Sequence, residues 1–172
     1  MADLLTLDEI MAMAIQMGAG AAAFYRRTAG SARGEKLQAM LTGFAATEDS
    51  HKQTFEAMRR KAAETVAKKA GTAQLAGEGG LFMAALASGI RAEGSGADSS
   101  EMAGNPSADR VLAHAVEMEK GAVLFYVGMR DIVSMPDREW LDRIIAEEKQ
   151  HLTTLARELS RAKDEAKSGR VS

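Results

Sequence analysis

Glu48 and His51 stand three residues apart in the segment Glu48-Asp49-Ser50-His51, and the pattern returns 100 residues later as Glu148-Lys149-Gln150-His151. On a helix, three residues is close to one turn, so each carboxylate and its imidazole share a face. Each pair also interrupts an apolar row at three- and four-residue spacing. Leu37, Leu41, Phe44, Phe55 and Met58 continue the first row, and Leu141, Ile144, Leu155 and Leu159 continue the second. The charged pairs are therefore predicted to point into a core. Glu119 takes a similar place in the row Leu112, Ala115, Ala122, Tyr126 and Met129.

Three carboxylates and two imidazoles in apolar rows need compensation, because one buried, unpaired charge costs on the order of several kcal/mol. No Lys or Arg occupies those rows, so the natural counter-charge is a bound cation. The chain has no cysteine, which leaves only oxygen and nitrogen as ligands and excludes disulfides and a catalytic thiol. Neutral histidine nitrogens and glutamates able to bridge two ions suit iron or manganese, with zinc as an alternative. A lone Glu-x-x-His is a weak signal, whereas two copies inside core rows of an internal repeat are a strong one.

The elements that position these groups read as helices. Two prolines in 172 residues, with abundant Ala, Leu, Glu, Lys, Arg and Met, favour an all-α single domain over 1–172. Thr6-Leu7-Asp8-Glu9 has capping-box spacing and opens a helix over about 6–28, with an inward row of Met11, Ala14, Gly18, Ala21 and Tyr25. A short Gly/Ser link leads to a second helix over 34–69. The Gly-rich stretch 70–105 reads as a long crossover holding a short helix at Leu81 to Ile90. Asn105-Pro106 caps a third long helix over 106–133, and a tight link at Ser134 to Pro136 leads to a fourth over 135–167. Links this short make each hairpin antiparallel.

The third long helix repeats the first. Ala14 to Tyr25 aligns without gaps on Ala115 to Tyr126, so Tyr25 pairs with Tyr126 and Gly18 with Glu119. Two matching hairpins predict a pseudo-symmetric four-helix bundle.

Composition narrows the class further. A net charge of −2 and a pI near 6.0 give no electrostatic reason to expect nucleic acid. The longest uncharged stretch, Ile10 to Tyr25, is shorter than the roughly 20 residues of a membrane span. The N-terminus lacks the pattern of a signal peptide, and a cytoplasmic protein is expected.

With its repeat, its Phe-Tyr signature, Glu147-Glu148-x-x-His151-Leu152 and the long crossover, the chain resembles the ferritin-like di-iron carboxylate superfamily, and within it the rubrerythrin group. The resemblance implies a Glu from the first and third long helices and a Glu-x-x-His from the second and fourth. It thereby implies Glu48, His51, Glu119, Glu148 and His151 as metal ligands and one or two iron ions as cofactor. It further implies redox chemistry with peroxide or dioxygen, as a peroxidase or ferroxidase type of oxidoreductase. Tyr25 and Tyr126, seven residues beyond Gly18 and Glu119 and hence on the same face, either donate hydrogen bonds to the ligand carboxylates or pack in the core with their hydroxyls satisfied elsewhere.

The departures are specific. Gly18 stands where a helix-one glutamate is required, Ala122 where rubrerythrins carry a second carboxylate, and no Cys-rich rubredoxin domain is present, so electrons would come from a separate donor. The expected site is asymmetric. Glu119, Glu148 and His151 hold one ion with Glu48 bridging, while an ion near His51 is weakly held or completed by water, hydroxide or an exogenous anion. The alternative is a degenerate, non-catalytic metal-binding or structural bundle acting through dimerisation. Helix one lacks a charged face along Ala12, Met13, Gln16, Met17, Gly20 and Ala23, which predicts a homodimer packed through it, with Gly18 allowing close helix approach. His114 is expected to serve the outer surface.

Overall fold

A computed structural model of the chain describes residues 5–32, 34–66, 75, 77–94 and 106–168. The described residues form five helices: α1 (Leu7–Ser31), α2 (Glu35–Val66), α3 (Glu78–Gly94), α4 (Ala108–Ile132) and α5 (Asp137–Ser168). No helix among them is long and apolar enough to cross a membrane.

The start of α1 follows from local chemistry. Thr6 accepts a hydrogen bond from the Glu9 amide, and the Glu9 carboxylate accepts one from the Thr6 amide, which satisfies two otherwise unpaired donors of the first turn. The helix runs through Gly30 to Ser31 rather than stopping at Thr28, because Thr28 and Ala29 are buried and the Thr28 hydroxyl bonds back to the Phe24 carbonyl. Gly34, at φ 103°, makes the reversal into α2. The predicted end of the second helix at 69 and the cap Asn105 lie outside the described residues. Helix α4 begins at Ala108 with Ser107 as its N-cap, two residues later than the Asn-Pro signal suggests.

The hairpin α1–α2 packs against the hairpin α4–α5, with α1 meeting α4 and α2 meeting α5 across the bundle, and α3 lies along α4. Helix α3 is longer than its Gly-rich sequence predicts. A Cβ on Gly128 of α4 would come within 2.8 Å of the Phe82 ring and 2.7 Å of the Met83 sulfur, so this glycine provides the seat on which α3 rests. Gly80 plays a matching part on α3, where a Cβ would strike the carbonyl of Leu75.

Apolar burial divides into two clusters. One gathers Ile10, Met11, Phe55, Met83, Phe125 and Leu141, and the other Phe24, Tyr25, Leu41, Leu112, Val116 and Leu155. The first draws on the beginnings of α1 and α5 and the ends of α2 and α4, and the second on the opposite ends. Glu48, His51, Glu119, Glu148 and His151 are buried between them as a polar layer at the middle of the bundle.

Candidate metal centre

The apolar rows of α2, α4 and α5 carry the polar layer inward, since Leu41 and Phe55 bracket Glu48 and His51, and Leu141 and Leu155 bracket Glu148 and His151, all fully or nearly fully buried. The structure brings one donor atom from each of Glu48, Glu119, Glu148 and His151 within 4.8 Å of one another. His51 borders this group, with Nδ1 at 3.0 Å from Oε1 of Glu148 and 3.7 Å from Oε2 of Glu48. His151 Nδ1 lies 3.4 Å from Oε2 of Glu148, 3.5 Å from Oε1 of Glu48 and 3.7 Å from Oε1 of Glu119.

These atoms are close without being bonded. Oε1 of Glu48, both carboxylate oxygens of Glu148 and the Nδ1 atoms of both histidines are buried with no hydrogen-bond partner. Buried polar atoms are rarely left so, and five around one point require an explanation. Ligands about 2.1 Å from a common ion lie about 3.0 to 3.4 Å from one another in octahedral or tetrahedral geometry, which is close to the separations seen here. The donor set and its spacing fit a cation.

The electrostatics agree. Burial disfavours charge on the imidazoles, but the carboxylates outweigh it and push His51 up to about 10, chiefly through Glu148 and Glu48, and His151 up to about 11, chiefly through Glu119 and Glu148. Burial raises Glu148 too, yet its two histidine neighbours hold it well below the usual carboxylate range. Glu119 is pushed up to about 8, first by burial, then by the charges of Glu148 and Glu48 against the pull of His151.

The tyrosines divide. Tyr25 donates a hydrogen bond to Oε1 of Glu119, and burial followed by the Glu119 charge raises its hydroxyl far above the usual phenol range, so it remains a donor. Tyr126 is buried against Phe55, with ring centroids 5.0 Å apart, and burial followed by the Glu148 charge raises it likewise. The residue that repeats Glu119 is Gly18, so Tyr126 has no carboxylate at the corresponding place.

Gly18 faces α2. A Cβ there would lie 3.3 Å from the carbonyl oxygen of Glu48 and 3.4 Å from Cβ of Lys52. The missing side chain thus lets the α1 backbone approach the turn of α2 that carries Glu48. His114 is half-buried, its ring 4.9 Å from that of Phe24, and it is not among the clustered donors.

One contributor is invisible to helix periodicity. Oε2 of Glu147 lies 2.7 Å from Nε2 of His51, and its side chain is 53% exposed. A ligating histidine typically donates its second ring nitrogen to a carboxylate, which fixes tautomer and ring orientation. The Glu147-Glu148 doublet was the available signal.

No protein-family model matches the sequence, and a search of curated proteins also finds no match. Among solved structures, the chain is similar to a protein of Thermotoga maritima assigned as a ferritin-like diiron-carboxylate protein, at 21% identity and a TM-score of 0.66. The likeness covers 90% of this chain and 94% of that one. Helix order, packing and this likeness together give the chain a ferritin-like fold.

Proposed function

We propose that this protein is a rubrerythrin-like metal-binding bundle that holds iron in its polar layer and uses it for redox chemistry with peroxide or dioxygen. The observation that carries the reading is the convergence of five buried, unbonded donor atoms of Glu48, His51, Glu148 and His151. The T. maritima protein, by its assignment as a diiron-carboxylate protein, supports iron as the ion.

In this reading Glu48, Glu119, Glu148 and His151 form the fuller ligand set, and His51 with the second oxygens of Glu48 and Glu148 forms a poorer one. Bound iron supplies one-electron chemistry toward an oxidant. The protein residues do the rest: Tyr25 fixes Glu119, Glu147 fixes His51, and the apolar clusters above and below keep bulk water from the layer. Electrons come from a separate donor.

The test is metal content per chain after anaerobic reconstitution with Fe(II), beside Glu148→Ala. Iron bound by the wild type and lost in the variant is the expected result. About one iron assigns the fuller set alone, and about two assigns both. A wild-type protein that binds none sinks the reading and leaves a structural bundle.

A further inference from the structure

We propose that the cleft between α2 and α5 is the route by which a divalent cation reaches the buried layer, and that Glu147 is the carboxylate that receives it at the surface. The proposal rests on the metal-binding reading above.

Among the described residues, several other approaches to the layer are covered. The two apolar clusters cover it from both ends of the bundle, Gly18 brings α1 against the α2 backbone, and Tyr25 stands over Glu119. The α2–α5 seam differs. Ala46, Thr47 and Ser50 on one side and Glu147, Gln150 and His151 on the other line an open cleft, so a member of the clustered donors forms part of its wall. The lining is small or polar, without an apolar plug.

Glu147 completes the path. Its carboxylate is half-exposed, yet it lies 2.7 Å from Nε2 of His51, while Nδ1 of the same ring lies 3.0 Å from the fully buried Glu148. A single imidazole therefore separates a solvent-facing carboxylate from a buried one. A hydrated cation gives up its waters most easily when oxygen ligands replace them in turn, and Thr47, Ser50 and Gln150, whose side chains carry such oxygens, line the cleft. A carboxylate at the mouth also raises the local cation concentration.

The experiment follows uptake of Co(II) by stopped-flow absorbance, since divalent cobalt binds N/O sites more tightly than ferrous iron and reports its coordination by colour. Glu147→Gln is expected to slow association roughly three- to tenfold. Gln150→Lys places a positive charge at the mouth without touching the layer and is expected to slow association similarly, while Gln150→Glu accelerates it. Gln150 is exposed, so these variants fold, and far-UV circular dichroism checks that they do. Unchanged association in both Gln150 variants overturns the route. A Glu147→Gln protein with normal association, whatever the Co(II) bound at saturation, leaves Glu147 only the positioning of His51 and overturns its role in capture. Wild-type protein that takes up no Co(II) overturns the metal-binding reading itself.

Discussion

The hydroxyl of Tyr25 on α1 donates to Oε1 of Glu119 on α4, a bond across 94 positions of sequence that ties the two hairpins together inside the polar layer. Its repeat-mate Tyr126 packs against Phe55, and the residue that repeats Glu119 is Gly18. The two phenols are thus related by sequence and unequal in work. Tyr25→Phe is expected to lower the unfolding free energy by about 1 to 2 kcal/mol, the cost of leaving a buried acceptor unsatisfied, and Tyr126→Phe by under about 0.5 kcal/mol. Urea denaturation compares them, and equal losses would contradict the asymmetry.

Metal should act as a stabiliser. A ligand at about 100 times its dissociation constant adds about 2.7 kcal/mol, which for a chain of this size corresponds to roughly 5 to 10 °C in Tm. Calorimetry with and without anaerobic Fe(II) should give that shift in the wild type and none in Glu148→Ala. A wild-type Tm indifferent to metal would count against the proposed function.

Two glycines in helices test what close approach means here. Gly121 has nothing within 4 Å of a built Cβ, so Gly121→Ala should stabilise by up to about 1 kcal/mol through helix propensity. Gly18→Ala gains the same propensity but drives a methyl toward the Glu48 carbonyl, a backbone atom with little freedom to yield, and should destabilise by about 1 kcal/mol. Stabilisation by both would mean that the α1–α2 contact is slack.

Along α1 the residues Gln16, Ala19, Gly20 and Ala23 are exposed and carry no charge. We propose that a second copy of the chain covers this face. Light scattering at micromolar concentration should return a dimer, and Ala19→Arg should return a monomer. A wild-type monomer would end the proposal.

The polar layer was legible in the sequence because burial obeys helical period: Glu48, His51, Glu119, Glu148 and His151 each replace an apolar residue in a row, and all five are buried. Glu147 was not, since it falls off that row and reaches His51 only through the packing of one hairpin on the other. Gly18 was legible as a departure but not as a contact, because periodicity describes side chains and the contact here is made by the lack of one. For a related reason, helix α3 extends beyond the Leu81 to Ile90 that its sequence predicts. Gly79 and Gly80 look like helix breakers, whereas close packing against Leu75 and Ile132 leaves no room at these positions for a Cβ.

The separation of the two apolar clusters by the polar layer has an evolutionary consequence. Most apolar burial lies toward the ends of the bundle and the polar layer at its waist, so the loss of one polar side chain at the waist leaves the apolar packing in place. Position 18 is an instance: a donor expected by the repeat is missing, yet Ile10, Met11 and Ala14 on one side and Ala21, Phe24 and Tyr25 on the other still anchor α1. A scaffold arranged in this way lets a lineage exchange donors one at a time, and so explore new chemistry without first having to find a new fold.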